Sequence, residues 1–318
     1  TWLMKHYSAR LIVVGRTSLP DRSKWKAHLE EDTVLGQRIR NHLALEASGG
    51  EFLYESGDVS DHSFLNDVVT RAESDWEWGE PISGIFHLAG TLSRDGHPEE
   101  SHWDVLEEQE AAVISRESVE SQLRAKVYGT LALAPMLEER PDAILVAFSS
   151  VNSFFGGTTL SAYAAANSFL ESFCFYQQYQ KQRRVCCLSW SMWDDTGLAR
   201  DIPISIKAAS KSAGYEALSV PQGLNSLAVG LSCEEPQLYV GLDSTNRNIK
   251  RFLKEALPGK QSVKVYYSLT EGAELSEQRF QGRVLDALAQ VDRQHRAGIE
   301  ISQTETLPFR AAGNLGQD

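Results

Sequence analysis

Short apolar runs alternate along the chain with longer stretches in which apolar residues recur every three or four positions. The short runs predict strands, because a strand buried on both faces is apolar throughout, and they cover residues 9–15, 51–55, 84–88, 143–148, 185–190 and 237–241. The longer stretches predict helices over residues 23–47, 61–72, 117–137, 162–180 and 221–231. This alternation indicates an α/β fold with a doubly wound parallel sheet.

The composition changes near residue 258, which predicts a main domain, residues 1–258, and a small appendage, residues 259–318. The appendage carries an alternating strand pattern (VKVYYSL), a helical stretch at residues 275–292 and a second strand near Ile299. A piece of this size buries too little apolar surface to fold well alone. We therefore expect an α+β appendage that packs on another part of the polypeptide.

Composition and charge argue against several function classes. The chain has 318 residues, 42% hydrophobic and 23% charged, and its apolar runs are too short to cross a membrane. The net charge of −12, with no basic cluster, argues against a nucleic-acid partner. Cys174, Cys186, Cys187 and Cys233 lack CxxC spacing, and the adjacent Cys186 and Cys187 lie in an apolar run, which favours buried thiols there over a disulfide or a metal site. No secretory signal opens the chain, so we expect a reducing, cytoplasmic location.

The most informative segment is FSSVNSFFGGTTLSAYAAANSFL, residues 148–170. A predicted strand ends at Ser150, a glycine-bearing loop follows, and a helix is expected to begin near Ala162. Tyr163 and Asn167 are four residues apart, so they share one face of that helix. Ser150 is expected to lie opposite them, at the edge of the sheet where doubly wound proteins bind ligands.

These side chains suit the reduction of a carbonyl group. Ser150 can hold the carbonyl oxygen and Tyr163 can protonate it. A free tyrosine has a pKa of about 10 and gives up its proton poorly near neutrality, so it needs a nearby cation, for which Lys126 on the preceding predicted helix is the candidate. A structural reading competes, because serine, tyrosine and asparagine at such junctions are commonly turn and cap residues and a lone lysine is commonly solvated. The four residues together favour the catalytic reading.

The same residues resemble the active-site stretch of ketoreductase domains in modular polyketide and nonribosomal peptide synthases, a branch of the short-chain dehydrogenase/reductases. Ordinary members of that superfamily carry a lysine four residues after the tyrosine. In the synthase domains an asparagine takes that place and the preceding helix supplies the lysine, as Asn167 and Lys126 do here. The resemblance implies a Rossmann-like fold and catalytic roles for Ser150, Tyr163, Lys126 and Asn167. Asn167 would shape the site and hold a proton-relay water.

The resemblance extends over most of the chain and implies NADPH as the cofactor, with no metal. The residues implied for cofactor binding are Arg16, Asp58, Val59, His87, Ala89 and Gly90. Arg16 would face the 2′-phosphate that distinguishes NADPH from NADH, although by itself it resembles a surface arginine. Asp58 and Val59, in GDVSD, would lie near the adenine, and the HLAG segment (residues 87–90) would lie beside the cofactor.

Two parts of the family pattern are missing. The chain starts without the first strand and the glycine-rich turn that receives the pyrophosphate. We expect that part to lie upstream in a longer polypeptide, and the chain alone to bind NADPH weakly or not at all. The family's markers of product stereochemistry are also absent, at residues 91–95 and at Phe155, so the stereochemistry stays open.

The appendage has a weaker resemblance, to the small C-terminal subdomain of amino-acid adenylating domains. That subdomain ends in leucine–proline, four residues, then glycine–lysine. Leu307, Pro308 and Gly313 keep this spacing, but Asn314 stands where the catalytic lysine would be. This implies a degenerate subdomain of the kind found around ketoreductases that reduce α-keto acyl groups. The alternative is an ordinary linker with a Leu-Pro turn.

The leading hypothesis is therefore reduction of a ketone carried as a phosphopantetheine thioester on an acyl or peptidyl carrier protein. Neighbouring domains of the synthase would be further partners. Whether the ketone is α or β to the thioester stays open. The alternative is an inactive, structural ketoreductase-like module. A free-standing small-molecule reductase is disfavoured, because it would carry lysine at the position of Asn167.

Overall fold

The computed structural model describes residues 1–31, 33–76, 81–90, 116–157, 160–194, 204–253, 261–267 and 299–306. The chain divides into two compact units. The first comprises Ala9–Asp243 together with Thr1. The second comprises Trp2–Ser8, which contains helix α1 (Trp2–Tyr7), and Ser244–Asp318.

The first unit is built on parallel strands. They are β1 (Leu11–Gly15), β2 (Phe52–Ser56), β3 (Gly84–His87), β4 (Ile144–Ser150), β5 (Val185–Trp190), β6 (Met192–Trp193), β7 (Ala217–Leu218) and β8 (Gln237–Val240). A four-stranded parallel sheet has the order β3-β4-β5-β8, while β1 pairs with β2 and β6 with β7. β5 is buried along its whole length, as its continuous apolar run predicts.

Helices flank these strands. They are α2 (Trp25–His28), α3 (Val34–Glu46), α4 (His62–Asp75), α5 (Arg116–Leu123), α6 (Gly129–Glu139), α7 (Asn152–Phe155), α8 (Ser161–Tyr179), α9 (Ile204–Ala213) and α10 (Val220–Ser232). A 3₁₀ turn (Arg22–Lys24) precedes α2, and a π-helical turn (Arg124–Tyr128) joins α5 to α6. The α/β architecture predicted from the sequence is confirmed.

The prediction of one continuous helix over residues 23–47 is wrong. The structure interrupts it between α2 and α3. The Thr33 hydroxyl accepts a hydrogen bond from the backbone N–H of Gly36 at 3.0 Å, which starts a new helix. A Cβ on Gly36 would lie 2.5 Å from the carbonyl oxygen of His28, so α2 and α3 meet at a backbone contact that only glycine allows.

One apolar core holds the first unit together. Its buried residues are Leu65, Val69, Ile85, Ala132, Met136, Leu137, Leu145, Ala147, Leu170, Cys174, Val185 and Cys187. Ile12 and Val14 of β1 pack against this core, so the β1–β2 pair shares it with the four-stranded sheet. Among the described residues, no ladder of backbone hydrogen bonds joins the two sheets.

Cys186 and Cys187 are buried thiols, as the sequence predicts. All four cysteines are free, three of them buried and Cys233 partly buried. No helix within the described ranges is both long enough and apolar enough to cross a bilayer.

The second unit contains α1, α11 (Arg247–Leu253) and a parallel pair of strands, β9 (Gln261–Tyr267) and β10 (Ile299–Thr306). β9 overlaps the predicted VKVYYSL strand, and β10 starts at the predicted Ile299. The helix predicted over residues 275–292 and the motif at residues 307–314 lie outside the described residues. The stereochemical marker region, residues 91–95, lies outside them as well.

Candidate active site

The carboxyl end of β4 lies beside α8, which packs against both β4 and β5. Ser150 is the last residue of β4, and its buried hydroxyl accepts a hydrogen bond from the backbone N–H of Asn152 at 3.2 Å. Tyr163 lies in the first turn of α8. Burial raises the pKa of its phenol, while hydrogen bonds with the side chains of Ser150 and Asn167 oppose this rise. The structure therefore brings these three sequence-predicted residues together.

Asn167 lies one turn beyond Tyr163 and is fully buried, with 0% of its surface exposed. Its side-chain N–H donates to the backbone carbonyl of Tyr163 at 2.9 Å. Its side-chain oxygen Oδ1 has no partner among the described residues. Because an unsatisfied buried acceptor costs about 1–3 kcal/mol, this oxygen is a natural position for a bound water.

Lys126 lies in the π-helical turn, which packs against α8. The backbone N–H of Gly129 donates to the carbonyl of Arg124, five residues back, as in other π turns, which are frequent at functional sites. The Lys126 ammonium is buried and donates to the backbone carbonyl of Phe148 in β4. Burial lowers the pKa of Lys126 to about 8.

The carbonyl that accepts the hydrogen bond from Lys126 thus belongs to the strand that ends at Ser150, and it lies two residues before Ser150. Within the part of the chain that the structure describes, no hydrogen bond joins Lys126 to Tyr163. The location agrees with the predicted cation near the site, and its effect on the phenol stays a prediction.

Asp58 connects the loop after β2 to the same π-helical turn. Its carboxylate accepts hydrogen bonds from the backbone N–H and the hydroxyl of Ser60 at 2.9 and 2.7 Å, and from Arg124 at 2.8 Å. Burial alone would raise the pKa of Asp58, but these hydrogen bonds outweigh it and lower the pKa. Asp58 is therefore an anion with one arginine partner already in place.

Three more of the predicted cofactor residues lie around the π-helical turn. A Cβ on Gly129 would lie 3.3 Å from a methyl of Val59 and 3.4 Å from Cε1 of His87. A Cβ on Gly90 would lie 3.2 Å from Cε of Lys126, so the backbone passes close to the lysine stem. The loop after β2, the end of β3 and the π-helical turn therefore converge on one place.

His87 is buried, and its Nε2 has no partner among the described residues. Burial, reinforced by the nearby charge of Lys126, lowers the pKa of His87 to about 3. The imidazole is therefore neutral near pH 7 and does not serve there as a proton donor in its charged form. Ala89, two residues beyond it, is half-buried beside Gly90.

Arg16 follows β1 directly and is exposed. It makes no hydrogen bond or ion pair with any other residue that the structure describes, so the structure does not bring it into contact with the cluster around Lys126. Its free guanidinium fits the predicted role of meeting a phosphate. In the described ranges, no group of three or more histidine, cysteine, aspartate or glutamate side chains is placed to hold a metal ion.

Sequence reasoning missed a buried carboxylate beside the site. Glu171 accepts hydrogen bonds from the hydroxyls of Ser149, Ser153 and Ser189. It lies on α8 eight residues after Tyr163, so the helical repeat that links Tyr163 to Asn167 also predicts Glu171 on the same face.

Comparison with known proteins identifies the family of this chain. A family model described as the KR domain matches residues 1–195. A 6-methylsalicylic acid synthase of Arthrobotrys oligospora is 29% identical over 200 residues, which are 62% of this chain and 10% of that protein. The polyketide synthase PksM of Bacillus subtilis is 25% identical over 253 residues, 79% of this chain and 5% of that protein. The chain thus spans a tenth or less of the length of these relatives.

Solved structures show the same fold. A structure titled as the adenylation, ketoreductase and pseudo Asub domains of a keto acid-selecting NRPS module matches 96% of this chain and 23% of its own length, with a TM-score of 0.63 and 23% identity. An N-terminal ketoreductase from the macrolactin assembly line matches 81% of this chain and 44% of its own length, with a TM-score of 0.57 and 23% identity.

Proposed function

The chain belongs to the KR domain family of assembly-line synthases, and we propose that it carries out NADPH-dependent reduction of a ketone to a hydroxyl on an acyl chain tethered to a carrier protein. The observation that carries the proposal is the grouping of Ser150, Tyr163 and Asn167 at the carboxyl end of β4, with the buried Lys126 ammonium hydrogen-bonded to the same strand. Carbonyl reduction needs these groups together: a hydrogen-bond donor to the oxygen, a proton donor and a nearby cation.

In the proposed reaction, the hydroxyls of Ser150 and Tyr163 bind the carbonyl oxygen of the substrate. When bound, NADPH supplies the hydride that adds to the carbonyl carbon. Tyr163 gives its phenolic proton to the oxygen, which becomes the product hydroxyl, and is left as a phenolate. The Lys126 cation stabilises that phenolate across a site of low dielectric constant. A water on the unpaired Oδ1 of Asn167 would relay a proton from the solvent to this phenolate and so restore the phenol.

The residues present fit the adenosine side of NADPH. The exposed guanidinium of Arg16 can pair with the 2′-phosphate. Asp58 and Val59 would provide a polar and an apolar contact for NADPH beside the π-helical turn, next to His87 and Gly90. His87 is neutral there, so it contributes no charge to the binding of the anionic cofactor.

We further propose an α-keto acyl thioester as the substrate, with residues 259–318 as a degenerate adenylation-type subdomain. Two observations support this. Asn314 replaces the lysine of the adenylation motif while Leu307, Pro308 and Gly313 keep its spacing. The keto acid-selecting module whose structure contains a pseudo Asub domain matches 96% of this chain. A carrier protein and an adenylating domain would then be the partners.

The test uses the full-length polypeptide that contains this chain, with pantetheine thioesters of an α-keto and a β-keto acid, and follows the absorbance of NADPH. We expect oxidation of NADPH and a higher kcat/KM for the α-keto thioester. Tyr163→Phe removes the proton donor and should lower kcat by about 100-fold or more.

Tyr176→Phe is the matched control, because Tyr176 is an exposed tyrosine of the same helix, and it should keep the wild-type rate. Full activity in Tyr163→Phe would disprove the mechanism. Absence of both NADPH binding and NADPH oxidation in the wild-type polypeptide would favour the structural module instead.

A further inference from the structure

A carboxylate lies buried behind the proposed catalytic residues. Glu171 is 8% exposed, and a single oxygen, Oε1, accepts hydrogen bonds from Ser149 at 2.7 Å, Ser153 at 2.5 Å and Ser189 at 2.6 Å. Buried acidic side chains are usually paired with a cation. Among the described residues no lysine, arginine or histidine forms an ion pair with Glu171, and three neutral hydroxyls take the place of the cation.

These serines belong to separate parts of the site. Ser149 precedes Ser150 in β4, Ser189 lies in the neighbouring strand β5, and Ser153 lies in α7, just after β4. The Ser153 hydroxyl is also 2.6 Å from the backbone carbonyl of Ser150, and the Ser153 carbonyl accepts a hydrogen bond from Ser168 of α8 at 2.9 Å. The segment that carries Ser150 is therefore fastened to α8 through Glu171 and Ser168.

Glu171 also belongs to the helix face that carries the phenol. Tyr163, Asn167 and Glu171 follow one another at intervals of four residues along α8. A shift of α8 relative to β4 would change the distance between the hydroxyls of Ser150 and Tyr163, which must reach the same carbonyl oxygen. Misplacement of reacting groups by about 1 Å can cost about 100-fold in rate.

We propose that Glu171 is a positioning residue that sets the spacing of Ser150 and Tyr163 through the three serine hydroxyls. The inference rests on the proposed ketone reduction. Glu171 itself touches neither substrate nor cofactor in this proposal. Its contribution is to hold two hydrogen-bonding groups at one carbonyl oxygen.

The first test compares Glu171→Ala with Glu171→Gln in the full-length polypeptide. Glu171→Ala removes the shared acceptor and should lower kcat by about tenfold or more. The dissociation constant of NADPH, measured by nicotinamide fluorescence, should stay unchanged. Because one oxygen receives all three hydrogen bonds, the amide oxygen of Glu171→Gln can replace it and should restore kcat to within about threefold of the wild type.

Glu73→Ala is the matched control for a merely structural role. Glu73 is a mostly buried carboxylate of α4 that pairs with Arg140, and within the described ranges it forms no hydrogen bond or ion pair with a proposed catalytic residue. Both alanine variants should lower the Tm, but only Glu171→Ala should lower kcat. A folded Glu171→Ala protein with wild-type kcat would overturn the proposal, and so would a Glu171→Gln protein as impaired as Glu171→Ala.

A second measurement tests the positioning role of Glu171 without any turnover. If the wild-type polypeptide shows no turnover, the proposed function is wrong, but this measurement still tests the role of Glu171. Amide hydrogen exchange of residues 150–156 reports the anchoring of the Ser150 segment without any reaction. We expect exchange about tenfold faster than wild type in Glu171→Ala and unchanged in Glu73→Ala and Glu171→Gln. Equal exchange in wild type and Glu171→Ala would overturn the positioning role.

Discussion

Among the single residues of the proposed catalytic group, Lys126 is a cation whose side chain is buried. Burial lowers its pKa from 10.5 to about 8, so the side chain is cationic below that pH and neutral above it. The stabilisation of a Tyr163 phenolate is therefore present at neutral pH and is lost as the pH rises through about 8. We expect kcat, measured between about pH 6 and pH 10, to fall with an apparent pKa near 8.

Lys126→Met identifies the group responsible for this fall. It should lower kcat at neutral pH by about 100-fold and remove the descending limb near pH 8. A limb with the same midpoint in the variant would assign the titration to another group.

The sequence predicted the positions of some of these residues, because those positions follow from local patterns of strands and helices. The end of an apolar run places Ser150, and the four-residue repeat of a helix places Tyr163 next to Asn167. The position of Lys126 depends on a π-helical turn, for which the hydrophobic pattern has no signal. The partners of Glu171 come from two strands and the short helix α7, so only the folded chain shows them together.

At the level of elements, an ion pair joins α4 to the turn between α6 and β4. Arg140 and Glu73 are 8% and 19% exposed, and the guanidinium donates to both carboxylate oxygens at 3.0 and 3.2 Å. Removing one partner of a buried pair leaves an uncompensated charge. Arg140→Ala should therefore lower the free energy of unfolding by about 3 kcal/mol in urea titrations, without changing kcat.

The same ion pair predicts a dependence of stability on pH. Burial by itself would raise the pKa of Glu73. The hydrogen bonds from Arg140 and from the backbone of Ile82 outweigh burial, so the pKa of Glu73 is lowered. A depressed carboxyl pKa stabilises the fold above the unfolded value of about 4.3 and loses that effect as the pH falls through the folded value. The loss of stability between about pH 5 and pH 3 should be smaller in Arg140→Ala than in the wild type. An identical acid dependence would show that the pair contributes nothing.

The boundaries of helices show where the hydrophobic pattern of the sequence no longer predicts the structure. The break between α2 and α3 depends on a threonine cap and on a glycine that passes close to a carbonyl oxygen. Apolar residues on both sides keep a helical repeat, which is why the pattern predicts one helix. The strands are easier to predict from the sequence, because a strand that is buried on both faces is a continuous run of apolar residues.

For the molecule as a whole, the β1–β2 pair shares the core of the four-stranded sheet, so it belongs to the same packed unit as the proposed catalytic residues. Arg16 follows β1 and is the exposed cation at that strand end. A guanidinium there would favour a cofactor with a 2′-phosphate. Arg16→Ala should raise the dissociation constant of NADPH by about tenfold, with little change for NADH, in nicotinamide fluorescence titrations of the full-length polypeptide.

Arg10 provides the control, because it lies near the opposite end of β1 and pairs with Glu51 at 2.7 Å. Arg10→Ala removes the same charge from the molecule but should leave both dissociation constants unchanged, which separates a local phosphate contact from the effect of net charge. Equal weakening of NADPH and NADH in Arg16→Ala would contradict a 2′-phosphate contact. Equal weakening of NADPH binding by both arginine variants would assign the effect to long-range electrostatics, which salt should then screen.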